Sequence, residues 1–328
     1  MTRVAAIDCG TNSIRLLVAD LPEPGAPAVA GQPLVDVHRE MRVVRLGEGV
    51  DATGRLSDAA LERTLAATRD YAAVVRELGV ERTRFVATSA SRDASNAQVF
   101  VDGVREALGV EPEVVPGAEE AALSFRGAAT GVPPRGPDGV SLVSPYCVVD
   151  IGGGSTEVVL GDPGATASGA APAALSVDVG CVRLTERHLH DDPPSPAQVA
   201  AARADVDAAL DRVAEVVPYA ATGALVGVAG SVTTITAHAL GLPRYDAERI
   251  HGAVLPVPDV LAACADLLST TREQRAALPY MHPGRVDVIG AGALVWARVV
   301  ERVAEVADVR SVVTSEHDIL DGIALSLA

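Results

Sequence analysis

The sequence contains no lysine, and all 27 of its basic residues are arginine. A Walker-A phosphate-binding loop needs a Gly-Lys-Ser or Gly-Lys-Thr step, so the chain is not an ordinary P-loop nucleotidase. Acidic residues number 43, which gives a net charge of −16. We therefore expect no nonspecific binding to nucleic acid and no binding to an anionic membrane surface.

Cysteines and uninterrupted apolar runs are also scarce. The four cysteines show no Cys-x-x-Cys spacing, which favours reduced thiols in a cytoplasmic protein. Asp8 interrupts the N-terminal apolar run, so no secretory signal peptide is predicted. Residues 216–243 carry no Asp, Glu or Arg and are long enough to span a bilayer. Pro218, several glycines and His238 within them instead favour a strand, a turn and a helix in the core of a soluble protein.

Residues 146–162 have the pattern of a buried strand, a glycine turn and a second apolar strand. Gly152, Gly153 and Gly154 leave the turn without side chains, so successive backbone N–H groups can converge on an anion. Asp150 ends the first strand, and Glu157 opens the second. Two carboxylates beside a phosphate require a cation between them. The pattern therefore predicts a phosphate site with Mg²⁺, or another divalent cation, on these two acids.

The same pattern occurs near the N-terminus, in residues 4–20. Aligning Asp8 with Asp150 also aligns Gly10 with Gly152, at an offset of about one domain length. Such an offset indicates a duplicated domain and not a short repeat. With 328 residues the chain is long enough for two domains, each with its own core. We predict two related α/β lobes, each presenting its turn to a cleft between them.

Three further charged residues lie where ligands commonly bind. Arg92 follows a predicted buried strand and precedes a predicted helix that starts near residue 94. In open α/β sheets this is a ligand-binding edge, but Arg92 can equally form a salt bridge to Asp93 or another nearby acid. Glu119 and Glu120 lie in the first turn of a helix predicted to begin at Gly117. Acids there usually complement the helix dipole, although an adjacent pair can direct one carboxylate into a cleft.

A third glycine turn, at Gly230 and Ser231, opens another predicted helix. It is interpreted either as a phosphate or nucleoside contact or as tight packing of a strand against a helix. His188 and His190 precede two aspartates in a Pro-rich segment, which favours a solvated loop over a metal site.

Polar residues and loop-forming residues mark the ends of several elements. Ser57 and Ser195 are predicted N-caps of long helices, and Ser315 is the predicted N-cap of the final helix. Residues 22–33 and 131–145 are rich in Pro and Gly. We predict a surface loop for the first of these segments and a boundary between lobes for the second.

Seven segments together resemble the exopolyphosphatase / guanosine pentaphosphate phosphohydrolase (Ppx/GppA) family, which belongs to the actin, Hsp70 and sugar kinase superfamily. The resemblance covers nearly the whole chain, in order. It implies a duplicated ribonuclease-H-like α/β fold with an interdomain cleft, an N-terminal lobe of residues 1–123 and 315–328, and a C-terminal lobe of residues 124–314. The matching segments are AIDCGTNSIRLLV (6–18), RLGEG (45–49), ATSASRDASN (87–96), PGAEEA (116–121), VVDIGGGSTEVVLG (148–161), VDVGCVRLTE (177–186) and GVAGSVTT (227–234).

The resemblance also implies roles for individual residues. The family's catalytic glutamate, the second acid of the EEA motif, corresponds to Glu120, with Arg92 as a second catalytic residue. Its magnesium carboxylates correspond to Asp150 and Glu157, and we expect Asp8, the counterpart of Asp150, to contact the metal as well. The expected phosphate-binding residues are Asn12, Ser13, Arg15, Arg92, Gly152, Gly153, Gly154, Ser155, Thr156, Gly180, Gly230 and Ser231.

The activity that the resemblance implies is an exopolyphosphatase that removes terminal phosphate from linear polyphosphate with Mg²⁺. The alternatives are hydrolysis of guanosine pentaphosphate, phosphotransfer by a small kinase, and a non-catalytic actin-like or Hsp70-like nucleotide sensor. Glu120, Asp150 and Glu157 argue against the sensor. Expected partners are polyphosphate or guanosine pentaphosphate and, in a homodimer, a second copy of the chain; the expected location is the cytoplasm.

Overall fold

The computed structural model describes residues 1–22, 34–132, 142–167 and 169–328. Residues 23–33 of the predicted loop at 22–33, and residues 133–141 of the predicted boundary segment at 131–145, lie outside these ranges. The strands are β1 (Thr2–Cys9), β2 (Ser13–Leu21), β3 (Val35–Val43), β4 (Arg82–Ala87), β5 (Glu113–Val114), β6 (Tyr146–Ile151), β7 (Thr156–Gly161), β8 (Ala173–Val177), β9 (Ala224–Val228), β10 (Val254–Pro256) and β11 (Ser311–Thr314). The helices are α1 (Val50–Thr53), α2 (Asp58–Glu77), α3 (Ser89–Arg92), α4 (Ala97–Leu108), α5 (Gly117–Gly131), α6 (Pro163–Ala167), α7 (Cys181–His188), α8 (Pro196–Val216), α9 (Ala229–Ala239), α10 (Ala247–Ile250), α11 (Val257–Ser269), α12 (Arg272–Ala276), α13 (Ile289–Val306) and α14 (Ile319–Leu325).

The chain divides into two compact units, each with one sheet. The first unit comprises Met1–Gly131 and Asp318–Ala328, and the second comprises Val132–His317. The sheet orders are β3-β2-β1-β4-β5 and β8-β7-β6-β9-β11-β10. In both, the first three strands pair antiparallel and the fourth and fifth join them in parallel. This shared topology confirms the predicted duplicated α/β fold of the ribonuclease-H-like type.

The sheet of the first unit is buried on both faces because β1 is apolar at successive positions. Side chains alternate between the two faces of a strand. Ile7 therefore packs in the same core as Tyr71 of α2 and Phe100 of α4. Its neighbour Ala6 points to the other face and packs with Ile323 of α14. The first unit thus places α2 and α4 on one face and α14, supported by α5, on the other.

The second unit has one large core, to which α13 contributes along its length. Trp296, Val299 and Val303 of this helix pack in the same core as Val206 of α8 and Ile235 of α9. The segment at residues 216–243 contains β9 and α9, which confirms the predicted strand and helix. Within the described ranges, no helix combines the length and the apolar composition that crossing a membrane requires.

The N-caps predicted for two long helices are confirmed. The side chain of Ser57 accepts a hydrogen bond from the backbone N–H of Ala60 at the start of α2. Ser195 and Gln198 form a reciprocal capping box at the start of α8. Such caps satisfy N–H groups that have no partner inside the helix.

The N-cap predicted for the final helix is wrong. Helix α14 begins three residues later than an N-cap at Ser315 predicts, and its N-cap is Asp318, which accepts from the backbone N–H of Leu320. Asp321 completes a capping box with Asp318. The Ser315 hydroxyl instead donates to the carbonyl of His317 at 2.8 Å. An Asp-x-x-Asp pattern next to an apolar run therefore decides where this helix begins.

Helices α5 and α14 approach each other through backbone atoms at two glycines. A Cβ atom on Gly127 would lie 1.8 Å from the carbonyl oxygen of Asp318, and one on Gly322 would lie 1.9 Å from that of Leu123. Backbone atoms cannot move aside without separating the helices. We expect Gly127→Ala to lower the free energy of unfolding by about 3 kcal/mol, the upper end of the usual cost of overpacking. Urea unfolding followed by circular dichroism measures this change.

Gly103→Ala in α4 is the matched control, because both substitutions add one methyl group to a helix of the same unit. A Cβ atom on Gly103 would have the side chain of Leu65 as its nearest neighbour, at 2.6 Å. Leu65 is partly exposed and can change rotamer. We expect a smaller loss of stability for this variant. Equal losses in the two variants would contradict the backbone contact as the cause.

Candidate active site

The two units carry the same hairpin at equivalent points of their sheets. The N–H of Gly10 donates to the carbonyl of Ser13 at 2.9 Å, and the N–H of Gly152 donates to that of Ser155 at 3.0 Å. Each turn thus closes by the same hydrogen bond, as the alignment of residues 4–20 with residues 146–162 predicts. The duplication extends to the conformation of the turns.

The hairpins differ in the residue opposite the aspartate. Asp8 pairs in register with Arg15, whereas Asp150 pairs with Glu157. Residues directly opposite in an antiparallel pair place their side chains on the same face. The first hairpin therefore pairs an acid with a base, and the second pairs two acids.

In the first hairpin Arg15 joins two buried acids. Its Nη2 lies 2.6 Å from Asp8 Oδ2, and its Nη1 contacts Asp318, the N-cap of α14. Asp8 is 5% exposed and Asp318 3%. Burial raises the pKa of Asp8, and the guanidinium of Arg15 opposes that shift. The structure thus brings the predicted phosphate contact Arg15 and the predicted metal contact Asp8 into one ion cluster. Sequence reasoning missed its third member, Asp318.

The turn that contains Asn12 and Ser13 is supported from behind by residues 44–47. The carbonyl of Asn12 accepts from the N–H groups of Val44 and Arg45, and that of Thr11 accepts from Gly47. A Cβ atom on Gly47 would lie 2.4 Å from Thr11 Cγ2, so the two segments are in close contact. Among the described residues no hydrogen bond uses the side chains of Asn12 and Ser13, which leaves both able to bind a ligand.

Arg92 and Glu120 meet at the same edge of the first sheet. Strands β4 and β5 run parallel to β1, so the segments that follow them emerge beside the first turn. Arg92 ends α3, and its Nη1 donates to Glu120 Oε2 at 3.0 Å. Glu120 is 7% exposed, while Glu119 lies at the surface and pairs with Arg84 at 2.6 Å. Helix α5 therefore buries the second acid of the pair and exposes the first.

Asp150 and Glu157 form a buried pair of carboxylates in the second unit, 6% and 2% exposed. The Ser176 hydroxyl of β8 donates to Glu157 Oε1 at 2.6 Å and orients it. Across the described residues no group of three or more His, Cys, Asp or Glu side chains is arranged to hold a metal ion. A cation on this pair would take its other ligands from water or phosphate, an arrangement that Mg²⁺ favours.

The second turn offers three successive N–H groups beside these acids. The N–H groups of Gly153, Gly154 and Ser155 donate to no acceptor within the described part of the chain. Successive backbone N–H groups that point to one side form an anion-binding concavity. At the end of the turn, the Thr156 hydroxyl donates to the carbonyl of Val179 at 2.6 Å and is engaged internally.

Three of the predicted phosphate-binding residues are packed tightly against other parts of the protein. They are Gly180, Gly230 and Ser231. A Cβ atom on Gly180 would lie 2.5 Å from the carbonyl oxygen of Gly153, and one on Gly230 would lie 2.2 Å from Arg285 Nη2. Ser231 packs against Gly292, whose Cβ would lie 2.4 Å from the Ser231 hydroxyl. Backbone packing therefore requires glycine at position 180, whereas the neighbour of Gly230 is the end of a flexible arginine side chain. Arg285 adds a positive charge at the third turn that the sequence analysis did not identify.

The acids that follow His188 make contacts within the protein. His188 Nε2 lies 2.8 Å from Asp205 Oδ2 of α8, and Asp192 accepts from the backbone N–H of Arg272 at 2.7 Å. These contacts favour the loop interpretation of this segment over a metal site.

Comparison with known proteins gives consistent matches. The sequence profile of the Ppx/GppA phosphatase family matches residues 26–327. Exopolyphosphatase 2 of Mycobacterium tuberculosis is 50% identical over 333 residues, which cover 100% of this chain and 99% of that protein. The crystal structure of an exopolyphosphatase-like protein, 45% identical, superposes with a TM-score of 0.90 and covers 99% of this chain and 98% of its own. A family member from Aquifex aeolicus, 28% identical, superposes with a TM-score of 0.77 and covers 99% and 97%.

Proposed function

Because the chain belongs to the Ppx/GppA phosphatase family, we propose that it is an exopolyphosphatase, which hydrolyses the terminal phosphate of linear inorganic polyphosphate. Its similarity over the full length to a protein named exopolyphosphatase 2 supports this substrate. The observation that carries the proposal is the buried pair Asp150 and Glu157 beside three turn N–H groups without an acceptor in the described chain. Oxygen ligands for a cation and donors for an anion side by side suit a phosphate ester or anhydride.

The cofactor in this proposal is Mg²⁺ or another divalent cation. Asp150 and Glu157 fit it, because they supply two oxygen ligands from opposite positions of one hairpin. When bound there, the cation would neutralise charge on the phosphate that is transferred. We assign it to this pair and not to Asp8, because Arg15 already supplies positive charge to Asp8.

In this proposal, different residues of the chain have separate roles in the hydrolysis. The N–H groups of residues 153–155 hold oxygens of the terminal phosphate. The family resemblance implies that Glu120 is the general base, which accepts the proton of a water molecule whose oxygen attacks the terminal phosphorus. The bond from that phosphorus to the bridging oxygen breaks, and the bridging oxygen leaves with the shortened polymer. Arg92 holds the carboxylate of Glu120 at 3.0 Å, and the family resemblance implies that Arg92 also contacts phosphate.

Three further expectations accompany this proposal. A cytoplasmic location is supported by the four buried cysteines, which are all free thiols. Weak affinity for nucleic acid and anionic membranes is supported by the net charge of −16. The homodimer stays a prediction. Sedimentation of the purified protein measures the oligomeric state.

A phosphate-release assay with Mg²⁺ tests the proposed activity. The substrates are a short polyphosphate, a long polyphosphate and guanosine pentaphosphate, each with and without a chelator. We expect release from polyphosphate that the chelator abolishes. Faster phosphate release from guanosine pentaphosphate than from polyphosphate would identify guanosine pentaphosphate as the preferred substrate. ATP formation from polyphosphate and ADP would indicate the small kinase, and no release from any substrate would indicate a nucleotide sensor.

A further inference from the structure

The N-terminal turn of α7 packs against the back of the second glycine turn. The N–H of Cys181 donates to the carbonyl of Gly152 at 3.0 Å. The N–H groups of Val182 and Arg183 donate to the carbonyl of Gly153 at 2.9 and 3.1 Å. The first N–H groups of a helix have no partner inside it, and here the glycine turn supplies their acceptors.

The side chain of Arg183 extends this contact by one more peptide group. Its Nε donates to the carbonyl oxygen of Gly154 at 2.7 Å. Three successive carbonyls, those of residues 152–154, therefore all accept hydrogen bonds from α7. In a planar trans peptide the C=O and the following N–H point in opposite directions. The N–H groups of Gly153, Gly154 and Ser155 are consequently turned away from α7.

The contact is too close for a side chain or a water molecule to come between the helix and the turn. Gly180 is the N-cap of α7, and a Cβ atom there would lie 2.5 Å from the carbonyl oxygen of Gly153 and 2.7 Å from the nitrogen of Gly154. The orientation of the first two peptide groups is thus determined by backbone packing. Within the described residues, the third peptide group, between Gly154 and Ser155, is held by the Arg183 side chain.

We propose that Arg183 is a positioning residue for the anion site, which it serves through the peptide group between Gly154 and Ser155. Its hydrogen bond directs the Ser155 N–H toward the same side as the two preceding N–H groups. Donation to the carbonyl also polarises that peptide group and strengthens its N–H as a donor. This inference rests on the proposed function of the turn in binding phosphate.

Replacing Arg183 with alanine and with lysine tests the inference. We expect Arg183→Ala to lower kcat/KM for polyphosphate about 10- to 100-fold, the usual effect of losing a residue that orients the groups touching the ligand. Arg183→Lys should fall between alanine and the wild type, because an ammonium group can still donate to the Gly154 carbonyl. Arg187→Ala is the control, since Arg187 lies one turn further along α7 and pairs with Asp205 at 3.6 Å.

Binding of inorganic phosphate gives a readout that a purely structural role would not change. In protein labelled with ¹⁵N-serine, the Ser155 amide signal should shift on titration with phosphate in the wild type and much less in Arg183→Ala. A wild type without phosphate release would overturn the proposed function itself. An active wild type together with an Arg183→Ala variant of equal kcat/KM and equal Ser155 response would overturn only the role of Arg183. If Arg183→Ala melts at a much lower temperature than the wild type, Arg183→Lys decides in its place. A reduced Ser155 response with reduced kcat/KM in the lysine variant supports the role of Arg183. An unchanged Ser155 response with wild-type kcat/KM overturns it.

Discussion

Replacing Glu120 with glutamine is expected to lower kcat for phosphate release about 10²- to 10⁴-fold, the usual contribution of a general base. Glutamine keeps the size of the side chain and an oxygen that can accept from Arg92 Nη1, which lies 3.0 Å from the carboxylate. An amide cannot take up the proton of the attacking water. The affinity for polyphosphate should therefore change little. Steady-state phosphate release gives kcat, and equilibrium binding of polyphosphate gives the affinity.

Glu119→Gln is the matched control, because it removes the neighbouring charge from the same turn of α5. Glu119 lies at the surface and pairs with Arg84, so we expect near-normal turnover. Equal losses in both variants would assign the effect to the electrostatics of the helix N-terminus. Near-normal turnover in Glu120→Gln would remove Glu120 from the role of base.

Replacing Asp150 with asparagine is expected to lower kcat/KM about 100-fold or more at ordinary Mg²⁺ concentration. A metal ion stabilises the transition state by several kcal/mol, and about 1.4 kcal/mol corresponds to a factor of ten in rate. Asparagine is close to isosteric but a weaker, uncharged ligand, so part of the activity should return at high Mg²⁺. Phosphate release as a function of Mg²⁺ concentration measures both effects.

Asp162→Asn is the control for this experiment, because Asp162 follows the other end of the same hairpin and is exposed. It should keep the Mg²⁺ dependence of the wild type. Glu157→Gln should behave like Asp150→Asn, since the two acids are opposite each other in register. An Asp150→Asn variant with unchanged Mg²⁺ dependence would place the cation elsewhere.

The hairpins of the candidate site were predictable from the sequence because their determinants are local. Glycine and serine at fixed positions after Asp8 and after Asp150 specify the same turn in both units, and each closes by the same hydrogen bond. The burial of Glu120 was less predictable. An acid in the first turn of a helix has two common environments, and only the packing of α5 distinguishes them.

Contacts between distant parts of the chain were not predictable from one sequence. Arg15 and Asp318 lie 303 positions apart, and no local pattern indicates that they meet. The contact of Arg183 with the Gly154 carbonyl is also set by where α7 packs and not by the residues beside it. The final helix illustrates a different limit. Ser315 and Asp318 are both acceptable N-caps, and the capping box with Asp321 decided between them.

The return of the chain to the first unit has a consequence for the order of folding during synthesis. Residues 132–317 are continuous and can form their core as soon as they have left the ribosome. The first unit starts earlier but still lacks α14, so its apolar sheet face is uncovered and Arg15 lacks its contact with Asp318. Nascent chains usually fold from the N-terminal domain onward. Here the N-terminal unit is completed after the second unit, and its apolar sheet face stays exposed until residues 318–325 cover it.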